Sequence, residues 1–274
     1  TVGVLFPSPA HPYFGELVGE IYTAIRKIGF DPVFSFWENE KQQRMATEKM
    51  LEWNPVMLIT MEPAMLPDPV DVPVVSFHKE DPRFDYVGFD HNAAADLQLS
   101  HASELGHRHG AWIGVNEELR TNALLGKTSE YGLRIDINEW CSHYQREGQS
   151  ALDKDIRHLC RECRNNRGKK VPTALFIHDD LLALEVISRI FENGLKVPQD
   201  FSVIGHDALR VGTFMRPSLT SISYSTGHSG GALLVQTVMK RLQDPEAPRM
   251  KLLLRPFLQK GTSSDVARAE GVAS

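Results

Sequence analysis

Residues 173–186 read "TALFIHDDLLALEV", and the way this stretch divides decides the fold. Ala174, Leu175, Phe176 and Ile177 make a continuous apolar run of strand length, the pattern of a strand covered on both faces. His178, Asp179 and Asp180 interrupt it, and from there the apolar spacing is that of a helix. A strand running straight into a helix is the repeating unit of a parallel α/β sheet. The same stretch raises a chemical question. A histidine and two carboxylates at the end of an apolar strand suit a metal ion, acid–base chemistry or a polar ligand.

Working outward, the unit recurs in both directions. Apolar runs at 2–6, 32–36, 56–61, 72–77, 86–89, 111–115, 135–141, 201–205, 219–224 and 252–258 predict strands. Helical spacing at 14–28, 40–52, 92–105, 118–131, 151–165 and 228–242 predicts helices, the first stopped by Gly29 and the third by Gly106. Repeated strand–helix units require a parallel sheet covered on both faces. There are more strands than one such sheet usually holds, and 56–90 carries several in quick succession. The reading is an α/β protein of two doubly wound parallel-sheet subdomains with a ligand cleft between them. A closed eight-fold barrel suits this length but alternates strand and helix more regularly. No repeat is visible at periods of roughly 20–50 residues.

Apolar residues make up 42% and charged residues 24% of the 274-residue chain, an ordinary soluble globular balance. No apolar run approaches the roughly 20 residues of a membrane span. A net charge of −5 gives no sign of a nucleic-acid surface on this chain by itself. Three cysteines, Cys141, Cys160 and Cys163, cannot all pair, which argues against a disulfide scaffold and for a reducing, cytoplasmic setting. The chain opens on "TVGVLF" without Met, so a preceding segment is expected to have been removed. The small, polar 263–274 reads as a loose tail.

In open α/β sheets ligands bind beyond the carboxyl ends of the strands, so the residues there are the candidates. They are His11, Tyr13 and Phe14; His78; Asp90, His91 and Asn92; Asn116 and Arg120; His143 and Tyr144; His178, Asp179 and Asp180; and His206 and Asp207. Aromatic rings, carboxylates, amides and a guanidinium together stack on and hydrogen-bond a small polyhydroxylated or heterocyclic ligand. Each Asp also has a plainer explanation as a helix N-cap, which stabilises by about 1 kcal/mol with no ligand involved. That explanation suits Asp180, where a helix starts, and leaves Asp179 to reach a ligand. It suits Asp207 poorly, since the loop "ALRVG" follows.

Adjacent residues of an extended strand point to opposite faces. His178 with Asp179, or His206 with Asp207, therefore cannot both turn to one metal ion, and no H-E-x-x-H or comparable spacing is present. No G-x-S-x-G elbow marks a nucleophile, and neither phosphate-cradling glycine motif occurs. Cys160 and Cys163 have the C-x-x-C spacing inside a charged helical run with no second pair, so they read as helix cysteines. The basic "RNNRGKK" at 164–170 reads as a solvated loop. No metal, cofactor or catalytic residue is expected.

Five segments in order then carry a resemblance. "HPYF" (11–14) is similar to an N-P-[FY]-F turn after a first strand. "VGFDHNAAADLQLSHASELGHRHGAWIG" (87–114) is similar to V-G-x-D-N-x-x-A … H-L-x-x-L-G-H-R-x-I-A-x-I-G, and "PTALFIHDDLLAL" (172–184) to P-T-A-x-F-x-x-N-D-x-x-A-x-G. "GLKVPQDFSVIGHDAL" (194–209) is similar to G-L-x-V-P-x-D-[IV]-S-V-x-G-F-D, and "RPSLTSI" (216–222) to P-x-L-T-T-[IV]. Over nearly its whole length the chain resembles the effector-binding region of the LacI/GalR family of bacterial transcription regulators.

The resemblance implies two periplasmic-binding-protein-like subdomains crossed three times by the chain. They are an N-terminal one of 1–111 plus 224–251 and a C-terminal one of 112–223 plus 252–262. It implies a sugar or nucleobase-like effector in the cleft, a symmetric homodimer, and operator DNA bound through a helix-turn-helix headpiece that this sequence does not contain. Residue by residue, Tyr13 and Phe14 resemble the aromatic floor of the ligand site. Arg120 matches the Arg of R-x-x-G, and Asp207 the Asp of G-F-D. Asp179 stands where the family has Asn, beside the matching Asp180, and Tyr144 lies near a stacking aromatic. The chain departs from the pattern at Ala123 and Glu185, where the family has Gly, at His206, where it has Phe, and at His78, a place often held by Asp. With His78 and His206 included, the ligand set is more polar and more pH-sensitive. The function implied is effector sensing that controls operator binding allosterically. The alternative is a periplasmic sugar-binding protein of a transport system. A hydrolase using cleft His and Asp is third, with no nucleophile–base pair to support it.

Overall fold

The computed structural model describes residues 1–115, 118–137, 139–165, 171–224 and 230–267. They divide into two compact units, Thr1–Asp90 with Tyr224–Arg255, and His91–Ser223 with the chain from Pro256 onward. The first unit opens with β1 (Val2–Pro7), α1 (Pro12–Lys27), β2 (Pro32–Trp37), α2 (Glu40–Glu52), β3 (Met57–Thr60), β4 (Val74–Phe77) and β5 (Asp85–Phe89). The second follows with α3 (His91–Glu104), β6 (His109–Ile113), α4 (Glu118–Lys127), β7 (Arg134–Asp136), α5 (Ser142–Glu147) and α6 (Leu152–Asn165). It continues through β8 (Ala174–Ile177), α7 (Asp180–Glu192), β9 (Ser202–His206), α8 (Arg210–Phe214) and β10 (Thr220–Ser223). The chain returns to the first unit for α9 (Gly230–Gln243) and β11 (Lys251–Leu254), then ends in the second with β12 (Phe257–Gln259).

Each unit is built on a six-stranded sheet, ordered β11-β5-β4-β3-β1-β2 in the first and β12-β10-β9-β8-β6-β7 in the second. All pairings are parallel except β12 against β10. This is the doubly wound α/β architecture read from the sequence. The continuous apolar run 174–177 has its physical reason in the second unit. Leu175 and Ile177 pack with Val186, Ile187 and Ile190 of α7 and Ile156 and Leu159 of α6. Ala174 and Phe176 point the other way, onto Ala95 and Leu99 of α3 and Leu124 of α4. Both faces of the strand are covered, so no position on it is polar. Burying a side chain such as Ile177 or Phe176 contributes about 1.5–3 kcal/mol.

The boundaries differ from the expectation in instructive ways. The first crossing falls at 90/91 instead of 111/112, because α3 packs against α4 and β6 joins the second sheet. The single strand expected at 252–258 is two strands in different sheets. Pro256, which has no N–H to give a ladder, separates β11 from β12. The strand expected at 135–141 stops at Asp136, and the helix expected at 118–131 ends as α4 at Lys127 with a 3₁₀ turn behind it. The expected loose tail is tied down through 267. Ser263 Oγ accepts from the Thr220 N–H at 2.9 Å, Ser264 Oγ meets His101 Nε2 at 2.8 Å, and the Ala267 N–H reaches Leu105 O at 2.8 Å. The last seven residues, most of the basic run 164–170 and the start of the helix expected at 228 lie outside the described residues. Among the described residues, no helix is long and apolar enough to cross a membrane.

Candidate functional site

In the first unit, β4 and β5 are neighbours and β1 lies one strand further along the same parallel sheet, beyond β3; the ends of β4 and β5 and the turn after β1 build an aromatic edge. His11 is the N-cap of α1, its Nδ1 accepting from the Tyr13 N–H at 3.3 Å. That cap, with Pro12 at the first helical position, fixes where Tyr13 and Phe14 emerge. Their rings lie 5.4 Å apart, edge to face. Phe89, the last residue of β5, is the hub. It meets Phe77 at 5.2 Å, His78 at 5.8 Å, Tyr13 at 6.3 Å and Tyr224 at 4.6 Å. His78 has φ +69, a left-handed conformation that costs a non-glycine residue of order 1–3 kcal/mol. Its carbonyl accepts from the Tyr86 hydroxyl at 3.2 Å. Tyr13, Phe14 and His78 are thus brought together by Phe89. Phe89 ends β5 and Tyr224 directly follows β10, so in the sequence both read as the apolar end of a strand and not as site residues.

The corresponding edge of the second unit is polar and networked. Asp179 is the N-cap of α7, its Oδ1 accepting from the Leu182 N–H at 2.9 Å. The capping role expected of Asp180 therefore belongs to Asp179. Asp180 points inward and is fully buried. Its carboxylate accepts from Ser221 Oγ at 2.6 Å and from the Leu209 N–H at 2.7 Å. Burial pushes its pKa up to about 7, against the opposing pull of those two hydrogen bonds. Gly205 makes this possible, since a Cβ there would sit 2.3 Å from Asp180 Oδ1. The network also holds the turn after β9. Asp207 has φ +101 and Ala208 φ +49, with the Asp207 N–H on Ile222 O at 2.9 Å and the Ala208 N–H on Ser221 Oγ at 3.0 Å. The turn is followed by the short helix α8, where the sequence suggested only a loop.

Arg120, in the first turn of α4, donates from Nη1 to the His178 carbonyl at 2.5 Å. His206, at the end of β9, is fully buried. Burial first, then Arg120, His91 and His178, hold its imidazole well below the usual pKa and so neutral. Tyr144, on α5, packs against the core beneath α6 and α7. Its hydroxyl pKa is raised by burial and by the carboxylates of Asp179 and Glu185. Asp155 orients that helix, accepting from the Tyr144 N–H at 2.8 Å and from His143 Nδ1 at 2.6 Å. Arg120, His206, Tyr144, Asp179 and Asp207 therefore share one edge of this unit, and Tyr13, Phe14 and His78 share the edge of the other. Asn116 lies outside the described residues. Among those described, no group of three or more His, Cys, Asp or Glu side chains is placed to hold a metal ion. Cys160 and Cys163 are buried in α6, and burial pushes the Cys160 thiol up to about 12, so it is an inert core residue.

Comparison with known proteins places these two edges in context. A family model for a periplasmic binding protein-like domain matches residues 99–264. The HTH-type transcriptional repressor PurR of Aliivibrio fischeri is 28% identical over 271 residues, covering 93% of this chain and 78% of that protein. A periplasmic binding protein/LacI transcriptional regulator from Alkaliphilus metalliredigens, solved with D-xylulofuranose, superposes with a TM-score of 0.80 at 18% identity. It covers 96% of this chain and 98% of that one. A LacI family transcriptional regulator from Enterococcus faecium with bound ribose superposes at 0.78 and 19% identity, over 97% and 99% of the two chains. The chain belongs to the periplasmic binding protein-like domain family.

Proposed function

We propose that this chain is the effector sensor of a LacI-type transcription regulator, taking a small polar molecule and converting its occupancy into altered operator binding. The observation that carries the reading is the pair of edges at the carboxyl ends of the two sheets. One offers stacking rings around Phe89, the other directional hydrogen-bonding groups from Arg120 to Asp207. Stacking rings and hydrogen-bonding donors and acceptors are the group types that a sugar or nucleobase site uses. The relatives being repressors favours a regulator over a periplasmic transport protein, and DNA enters the reading through the helix-turn-helix in their name. A symmetric dimer is expected, because two-fold operators are read by two-fold proteins. Allosteric control requires that the effector bind two states with different affinity.

A thermal-shift panel of ribose, xylulose and other sugars with adenine, guanine and hypoxanthine tests the reading. A ligand present at a hundred times its Kd adds about 2.7 kcal/mol of stability. The expected hit is abolished by Asp207→Ala and weakened by Phe89→Ala. Catalytic turnover of the hit, or a strict monomer by sedimentation, would overturn the proposal.

A further inference from the structure

Three consecutive backbone N–H groups leave β9 under separate restraint. The Asp207 N–H reaches Ile222 O at 2.9 Å, the Ala208 N–H reaches Ser221 Oγ at 3.0 Å, and the Leu209 N–H reaches Asp180 Oδ2 at 2.7 Å. Ser221 Oγ in turn donates to Asp180 Oδ1 at 2.6 Å. Two of the three restraints therefore end on one carboxylate, and that carboxylate is fully buried. The segment they hold is strained. Asp207 has φ +101 and Ala208 φ +49, and left-handed backbone costs a non-glycine residue of order 1–3 kcal/mol. Such strain persists only where the surroundings over-determine it. A glycine would take φ +101 freely, so an Asp there spends stability to place a side chain at the carboxyl end of the sheet.

What over-determines the turn comes from outside it. The regular helix α8 begins only at Arg210, and Leu209 just before it is anchored by burial. At the other end the bond to Ile222 O continues the β9–β10 ladder. Between these two anchors the backbone is set by Asp180, from α7, and Ser221, from β10. We infer that Asp180 is a positioning residue of the ligand site: with Ser221, from inside the fold, it holds the strained turn that fixes where Asp207 presents its carboxylate. This deepens the sensor reading above and rests on it. Loss of the second Asp180 acceptor loosens two restraints together. Either the Leu209 N–H is left buried without a partner, or the Ser221 hydroxyl hydrogen is, and Ser221 Oγ is then freed to turn from the Ala208 N–H. A buried Asp–Ser pair that only closed a loop would alter stability and leave ligand binding unmoved, and that difference is measurable.

The test uses the tightest binder among ribose, xylulose, glucose and hypoxanthine, measured by calorimetric titration. The variants are Asp180→Asn, Ser221→Ala, Asp207→Asn and the combined Asp180→Asn/Asp207→Asn, each verified as folded by its thermal transition. Ile156→Val, which trims one methyl group from the core cluster around β8, lowers stability without touching the turn. The expected result is a loss of affinity of about tenfold or more in Asp180→Asn and in Ser221→Ala, and less than about twofold in Ile156→Val. In the combined variant the two losses do not multiply: it binds at least about threefold more tightly than their product predicts, because both act through one side chain. Hydrogen exchange of the ligand-free chain reads the turn directly. In Asp180→Asn the peptide covering 205–211 quickens by about tenfold more than peptides from α6. An affinity unmoved by Asp180→Asn, losses that multiply, an equal loss in Ile156→Val, or exchange that quickens alike in both places makes Asp180 a stability residue only. Each of these overturns the inference and leaves the sensor standing. No binding by any probe to the folded parent chain overturns the inference together with the sensor reading.

Discussion

The two units have nearly the same sheet, and the two carboxyl edges solve different problems on it. The first unit ends in rings: Phe89 contacts Tyr13, Phe77, His78 and Tyr224. The second ends in ionisable groups whose bonds are specified one by one, with Asp180 between Ser221 and Leu209 and Asp155 between His143 and Tyr144. Ring contacts contribute area and tolerate small shifts of geometry. Buried polar groups contribute little net energy when satisfied but are expensive when one partner is lost. Damage to the second edge should therefore be severe and specific, and damage to the first milder and general.

Asp180 is the position where that contrast is largest. Asp180→Ala leaves a buried hydroxyl and a buried N–H without an acceptor, so urea unfolding should show a loss of about 3 kcal/mol. Asp180→Asn keeps an acceptor and should lose less, while changing the pH response. The Asp180 carboxyl has a folded pKa raised from 3.8 to about 7. The folded state thus holds the proton more tightly, and this contribution to stability is complete below about pH 4 and is lost as pH rises to 7. At the amino end of the same sheet, His107 works in the opposite sense. It bonds Thr173, Ser202 and the Asp265 carbonyl, and burial lowers its pKa to about 4. Its contribution is present above about pH 6.5 and is lost on acidification. Asp180→Asn removes the compensating trend, so stability should fall more steeply between pH 6.5 and 4 than in the parent. An unchanged pH profile would show that Asp180 does not titrate in this range.

Phe89→Ala tests the other side of the comparison. Removing a ring that is only partly buried should reduce stability by about 2 kcal/mol, with Phe89→Leu near half of that. Ligand affinity should fall by about tenfold for every ligand in the panel, without changing their order. A reordering of ligand preference by Phe89→Leu would show that the aromatic edge also supplies specificity, and the division of labour between the units would not hold.

The fold was readable because its signals are local. An uninterrupted apolar run such as 174–177 has a simple meaning in a parallel sheet, and helix periodicity in 14–28 marks the covering layer. Boundaries that depend on long-range packing were not readable. Residues 91–110 belong with the second unit only because α3 finds α4 and β6 finds β8, and nothing in the helix pattern of 92–105 says which neighbour it will choose. The roles of Asp179 and Asp180 exchanged for a similar reason. Both carboxylates suit a helix start, and the choice turns on Gly205 and Ser221, which are distant in sequence and leave Asp180 the inward place. Phe89 is the simplest case, since a strand-terminal Phe reads as core until its neighbours are seen.

The smallest expected effect is the most diagnostic. Asp179→Asn preserves the cap on Leu182, because an Asn side chain offers the same acceptor and ranks with Asp at this position. Stability should change by no more than a few tenths of a kcal/mol. What changes is charge. The Tyr144 hydroxyl, held up partly by the Asp179 carboxylate, should ionise at lower pH in the variant, which ultraviolet titration reads without any ligand. At the ligand, an acceptor-only carboxylate becomes an amide that also donates. Ligands that bring a hydroxyl or amine to this place should weaken, and ligands that bring an acceptor should gain, so the ratio of two dissociation constants moves even where neither changes greatly. A shift in the Tyr144 titration with no change in that ratio would confine Asp179 to the cap and leave the specificity of the second edge to its other polar residues, Arg120 and Asp207 among them.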